Sequence, residues 1–64
     1  MKKKNFNTSL GNVTVRFAMI DADGTNLCEG VEFKLDGKFI GEVIGLSLDE
    51  INEDNIEELV EEIL

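Results

Sequence analysis

A run of strict apolar alternation constrains the fold of this chain more than any other feature. The segment from Val13 to Ile20 reads VTVRFAMI, and every odd-numbered side chain in it is apolar. Side chains of a β-strand alternate between the two faces of a sheet, so a period of two predicts a strand with one buried face. The even-numbered side chains, from Thr14 to Ile20, form the opposite face.

Turn signals on both sides of this segment predict three more strands. Gly11-Asn12 suits a two-residue hairpin turn, which would place Phe6 opposite Phe17. Ala22-Asp23-Gly24 suits a three-residue loop, which would place Asp21 opposite Thr25 and Met19 opposite Leu27. Leu35-Asp36-Gly37 suits another, which would place Phe33 opposite Phe39, and Glu29-Gly30 is a candidate β-bulge. All three turns assign one common apolar set to a single face: Phe6, Leu10, Val13, Val15, Phe17, Met19, Leu27, Val31, Phe33, Phe39 and Val43.

The C-terminal segment predicts a helix that covers this face. Ile56, Leu59, Val60 and Ile63 recur at helical spacing and form one apolar stripe. Two helix starts are compatible with the sequence, a capping box at Ser47 with Glu50 or an N-cap at Asn52. We expect a turn near 47–51 and a main helix over about 53–63. The predicted fold is α+β, a four-stranded antiparallel β-meander with one C-terminal helix (ββββα), in a single domain over residues 1–64.

Acidic residues are concentrated in the predicted helix. The formal net charge of −8 lies entirely in the last sixteen residues, because the first forty-eight carry six acids and six bases. Like charges three or four residues apart destabilise a helix, so the acids on this surface lower the stability of the predicted helix. One interpretation is solubility, and the other is a surface that binds a basic protein. The outward positions are Glu53, Asp54, Glu57, Glu58, Glu61 and Glu62.

A row of carboxylates one helical turn apart resembles phosphates along a nucleic-acid strand in charge and spacing. The basic partner would then be a nucleic-acid-handling protein, and the chain a DNA-mimic inhibitor of the size and charge of those encoded by phages or mobile elements. The acidity argues against direct binding of nucleic acid or of an anionic membrane.

The even-numbered face of the sheet mixes apolar and charged residues, and it has two interpretations. It is either a solvated face or a self-complementary patch, in which Arg16 and the lysines of one copy meet acids of another. The second interpretation predicts a homodimer with an accessory or structural role. The candidate dimer face comprises Arg16, Ala18, Ile20, Cys28, Ile40 and Ile44.

The sequence favours no catalytic or cofactor site. Asp21 and Asp23 begin a pattern like a calcium loop, but Asn26 stands where that loop requires glycine and no helices flank it. One cysteine and no histidine exclude an intramolecular disulfide and a Cys/His zinc site. We therefore expect a non-enzymatic protein without metal or cofactor. No apolar run suggests a signal peptide or a membrane span, so a cytoplasmic location is expected.

Overall fold

The computed structural model describes residues 3–21, 24 and 26–64. Its elements are the strands β1 (Lys3–Thr8), β2 (Gly11–Asp21), β3 (Leu27–Leu35) and β4 (Lys38–Ile44), a short 3₁₀ helix (Leu48–Glu50), and helix α1 (Ile56–Ile63). The strands form one antiparallel sheet in the order β1-β2-β3-β4. The predicted ββββα architecture is confirmed.

The core lies between the two central strands and the C-terminal segment. Its members are apolar and almost fully inaccessible to solvent: Val13, Val15, Val31, Phe33, Ile51, Ile56 and Val60. The four sheet residues in this set were all predicted on the helix-facing side. Ile56 and Val60 come from the predicted helical stripe, and the half-buried Leu59 and Ile63 pack around them. The alternation in the strands and the helical period in the tail therefore identified the two surfaces that meet.

The predicted capping box is confirmed, whereas Asn52 caps a turn and is not the N-cap of α1, which is Asn55. Ser47 and Glu50 form a complete capping box at the 3₁₀ helix. The Asn52 side-chain oxygen then accepts hydrogen bonds from the backbone N–H groups of Asp54 and Asn55, at 2.9 and 3.2 Å. Residues 53–55 form turns, and α1 begins at Ile56 rather than at about 53.

The first hairpin has a different turn from the one predicted. Its turn residues are Ser9 and Leu10, and Phe6 pairs with Val13 rather than with Phe17. The reason is a contact with the distant β3–β4 turn. The Asp36 carboxylate accepts from Asn12 N at 2.9 Å, and Asp36 N donates to Asn12 O at 2.7 Å. These bonds hold Gly11-Asn12 inside the sheet, and Leu10 becomes exposed instead of entering the core.

The second hairpin has a longer loop than predicted. Asp21 pairs with Leu27, so five residues separate the paired ends of β2 and β3, and Met19 lies opposite Glu29. The three-residue loop and the pairing of Asp21 with Thr25 are wrong. Ala22, Asp23 and Thr25 themselves lie outside the described residues.

The third hairpin has a two-residue turn, Asp36-Gly37, in place of the predicted three-residue loop. Both residues have positive φ, 50° and 85°, which is the type I′ geometry that Asp-Gly favours because it matches strand twist. Leu35 consequently pairs with Lys38.

A β-bulge in β4 follows from this shorter turn, and it lies away from the predicted Glu29-Gly30 position. Lys34 pairs with Phe39 but Phe33 pairs with Gly41, which leaves Ile40 as an extra residue. Phe39 therefore shares the outer face with Lys34 and is 57% exposed, so its assignment to the core is wrong. Ile40 packs against the core instead of lying on the second face.

The bulge also brings Gly41 beneath the helix. A Cβ added at Gly41 would lie 2.6 Å from Cγ2 of Ile63, so the missing side chain allows α1 to approach the sheet closely.

The β2–β3 hairpin extends beyond the rest of the sheet. β1 pairs only with residues 11–16 of β2, and β4 only with residues 30–35 of β3. An eleven-residue strand spans about 36 Å, whereas an eight-residue helix spans about 12 Å. The helix cannot cover the far end, where Met19 and Leu27 are 49% and 63% exposed. Their predicted burial is wrong for this reason. No helix in the described part of the chain is long and apolar enough to cross a membrane.

Removal of a buried side chain from α1 tests the packing of helix on sheet. Ile56 is 2% exposed, and Ile56→Ala should lower the free energy of unfolding by about 2–5 kcal/mol, because it leaves a cavity in the core. The exposed Glu58→Ala on the same helix is the control and should change it by less than about 0.5 kcal/mol. Urea unfolding followed by circular dichroism measures both, and equal midpoints would contradict the packing.

Candidate functional site

The six acidic residues predicted to face outward are all exposed. Four of them belong to α1, and Glu53 and Asp54 lie in the turns before it. The buried Ile56 and Val60 fix the inward side of the helix. At 3.6 residues per turn, Glu58 and Glu61 lie opposite the inward stripe that Ile56 and Val60 form with Leu59 and Ile63. We call the exposed set the acidic surface: Glu53, Asp54, Glu57, Glu58, Glu61 and Glu62.

The flanks of the acidic surface meet the two edge strands. Glu53 and Glu57 line a shallow cleft beside β1, together with Phe6. Glu62 lines a cleft beside β4, together with Ile40. Carboxylates therefore extend from one edge of the sheet to the other across the outer side of α1.

Glu57 has a structural contact that sequence reasoning missed. Its Oε2 accepts hydrogen bonds from the backbone N–H and the hydroxyl of Ser9, both at 3.0 Å. The contact joins the first turn of α1 to the β1–β2 turn, across forty-eight residues of sequence. No local signal in the sequence identifies it. Glu57 therefore orients the helix, in addition to contributing charge.

Lys4 anchors the segment that carries the acids. Its Nζ donates to the carbonyl oxygens of Leu48 and Ile51, at 2.8 and 3.0 Å. One carbonyl belongs to the first residue of the 3₁₀ helix and the other to its C-cap, and a cation is favourable at carbonyls that end a helix. Lys4 pairs with Val15 and so shares the helix-facing side of the sheet. The lysine thus holds the acidic segment through backbone oxygens rather than through its carboxylates.

Within the described residues, no Lys or Arg lies at ion-pair distance from the acidic surface. The ion pair that the structure records there joins Arg16 Nε and Glu32 Oε1 at 3.5 Å, in the sheet. The last turn of α1 carries acids and no base, although the C-terminal end of a helix favours cations. Neighbouring carboxylates repel one another, and the acids in the last turn interact unfavourably with the helix dipole. Contact with a basic surface would weaken both effects.

The second face of the sheet contains five of the six residues predicted for it. Arg16 and Ile44 are exposed, Ala18 and Cys28 are half-buried, and Ile20 is buried. A Cβ at Gly30 would lie 2.5 Å from Cδ1 of Ile20, which shows that Ile20 packs across this glycine.

The structure also revises the membership of this face. Ile40 is excluded because the bulge turns it toward the core. Phe39 is added because it pairs with Lys34. The faces of Phe39 and Ile40 depend on a one-residue change of register in β4. Alternation of apolar residues in the sequence cannot reveal that change.

The possible calcium pattern at the β2–β3 loop is accounted for by turn chemistry where the chain is described. Asp21 Oδ1 accepts from Gly24 N at 2.6 Å, as aspartate does in a tight turn. Asp23 and Thr25 lie outside the described residues. Among the residues that are described, no three or more His, Cys, Asp or Glu side chains are placed to hold a metal ion.

Comparison of the chain with protein-family models, curated protein sequences and solved structures finds no match. Its function is therefore inferred from its own geometry and charge.

Loss of the Lys4 ammonium should loosen the acidic segment. Lys4→Met keeps an unbranched apolar stem but removes the bonds to Leu48 O and Ile51 O. We expect the free energy of unfolding to fall by about 1–3 kcal/mol, the range for hydrogen bonds to a charged group. The control is Lys38→Met, which removes the same charge from an exposed position of the sheet. Equal urea midpoints for the two variants would show that the Lys4 contacts do not stabilise the fold.

Proposed function

We propose that this protein is a non-enzymatic, cytoplasmic interaction protein that binds a basic, nucleic-acid-handling protein through its acidic surface. The observation that supports this is the exposure of all six carboxylates, with no described base at ion-pair distance. Because the net charge of −8 lies in the last sixteen residues, the negative electrostatic potential is concentrated on one side of the protein. That side attracts cationic surfaces.

The spacing of the carboxylates suits a groove that normally receives phosphates. Residues three or four positions apart on a helix have Cβ atoms about 5–6 Å from each other. Glu58 lies three positions before Glu61 and four before Glu62 on α1. A groove lined by Lys and Arg at intervals suited to a nucleic-acid backbone can therefore pair with them in succession. Charge complementarity of this kind raises the association rate and makes binding sensitive to salt.

The packing of α1 supports inhibition rather than loose charge attraction. Two buried residues and the Glu57–Ser9 contact hold the helix on the sheet before any partner arrives. A preorganised surface loses less conformational entropy on binding than a flexible acidic tail. Occupation of the groove by the helix would exclude nucleic acid from the same site, as a DNA mimic does. The size and charge are typical of inhibitors that phages and mobile elements encode.

The competing interpretation is that the acids only keep the protein soluble. The two interpretations differ in one respect. A solubilising charge acts wherever it lies on the surface, whereas a binding surface requires the carboxylates at their positions on α1.

A matched pair of charge-neutralised variants separates these interpretations. One variant carries Glu58→Gln, Glu61→Gln and Glu62→Gln on the helix. The control carries Asp21→Asn, Glu29→Gln and Asp49→Asn, three exposed acids outside α1. Wild-type protein is first used to capture a partner from a nuclease-treated host lysate, and the partner is identified and purified. Dissociation constants are then measured by calorimetry at low and high salt, with duplex DNA or RNA as competitor.

We expect the helix variant to lose at least tenfold in affinity at low salt and the control variant to lose much less. Nucleic acid should displace the wild-type protein from its partner. Equal losses in the two variants would show that only total charge matters. A partner that binds the protein and nucleic acid at the same time would contradict the mimic mechanism.

A further inference from the structure

One row of four charged side chains crosses the second face of the sheet. Lys3 on β1 pairs with Arg16 on β2, Arg16 with Glu32 on β3, and Glu32 with Glu42 on β4. Neighbouring strands are about 4.8 Å apart, so the row spans about 14 Å. From β1 to β4 its charges read plus, plus, minus, minus. At its centre lies the Arg16–Glu32 ion pair.

The rows on either side complete a face that is almost neutral. One consists of Asn5, Thr14, Lys34 and Phe39, and the other of Ala18, Gly30 and Ile44. Together the three rows hold three bases and two acids, a formal charge of +1, on a chain whose net charge is −8. Two copies of so acidic a chain repel one another elsewhere. On this face they can approach without net repulsion.

We propose that this face binds a second copy of the chain, around a two-fold axis that lies between the two sheets and runs parallel to the strands. Such an axis places β1 of one copy over β4 of the other. Lys3 then faces Glu42, and Arg16 faces Glu32, in both directions. All four contacts join opposite charges, because the row reads plus, plus, minus, minus and its partner is the same row reversed.

The order of charges selects this packing over its alternative. A two-fold axis running across the strands at this row would place each residue over its own copy, lysine over lysine and glutamate over glutamate. Like charges directly opposed are destabilising. The charged row therefore sets the orientation of the two sheets, while apolar contact supplies most of the attraction. Partly desolvated ion pairs contribute little net affinity by themselves.

The apolar contact is small, which sets the expected strength of the dimer. Ile44 and Phe39 are 46% and 57% exposed on this face, and Ala18 and Cys28 are half-buried there. Four strands of about seven residues present a face of roughly 19 by 23 Å, so the area buried lies at the lower end of specific interfaces. We expect a dissociation constant in the micromolar range.

Both acidic helices would lie on the outer sides of this sandwich. Self-association therefore leaves the acidic surface accessible and does not depend on the proposed function. Success or failure of either proposal leaves the other unchanged.

Mixing two charge-reversed variants tests the proposal directly. Arg16→Glu changes the row to plus, minus, minus, minus, and Glu32→Arg changes it to plus, plus, plus, minus. In either homodimer, position 16 of one copy faces a like charge at position 32 of the other. In a mixed dimer all four contacts are again favourable. Each variant has lost the Arg16–Glu32 pair within its own chain, so recovery on mixing can only arise between chains.

Sedimentation equilibrium and native mass spectrometry measure the outcome. Wild type should reach twice its 7.1 kDa mass, each variant alone should remain monomeric at the same concentration, and the equimolar mixture should recover the dimer. Circular dichroism verifies that each variant folds. If Arg16→Glu or Glu32→Arg does not fold, Lys3→Glu mixed with Glu42→Lys provides the same test at two exposed positions.

The matched control is Glu61→Arg, which makes the same charge change as Glu32→Arg but on the helix, and it should leave the dimer intact. A wild type that stays monomeric up to about 1 mM would overturn the proposal. Variants that dimerise as well as wild type, or a mixture that stays monomeric, would also overturn it.

Discussion

Burial of the helical stripe against the sheet is the interaction on which the rest of this molecule depends. A single open sheet with one apolar face is not stable in water until another layer covers that face. Here Ile56 and Val60 provide the cover, and Ile51 completes the core between them and the central strands. Each buried side chain contributes about 1.5–3 kcal/mol, whereas each repulsive carboxylate pair on the helix costs a few tenths of a kcal/mol. The burial energy therefore outweighs the repulsion between carboxylates. It holds the acids on a packed helix, whereas their repulsion alone favours an extended tail.

The predicted face of a strand residue was correct wherever the predicted register differed from the observed one by an even number of residues. Phe6 pairs four residues away from its predicted partner, and Met19 two residues away, and both shifts leave every side chain on its predicted face. The four buried sheet residues were therefore predicted correctly although the registers were wrong, whereas Leu10, Met19 and Leu27 are exposed. In β4 the shift is one residue before the bulge and two after it. Phe39 precedes the bulge and Ile40 is the extra residue in it, so both lie on the face opposite to the one predicted. Val43 follows the bulge and lies on its predicted face.

The sequence did not reveal contacts between residues that are distant in the chain. Asp36 fixes the first hairpin from the third, and Lys4 holds the end of a 3₁₀ helix more than forty residues later. Periodicity assigns a residue to a face, and turn chemistry assigns it to a loop, but neither identifies a partner on another element. The candidate site shows the same division. The exposure of the four acids of α1 followed from the helical period, whereas the bond from Ser9 to Glu57 depends on how the helix lies across the sheet.

The charge of the chain is divided between the two sides of the sheet. The acidic surface lies on the side of the helix, and the row of Lys3, Arg16, Glu32 and Glu42 lies on the other side, where bases and acids nearly balance. In a dimer formed through that face the two acidic surfaces point in opposite directions. They cannot both contact one flat basic surface, so a dimer would join two partner molecules rather than bind one of them with increased avidity.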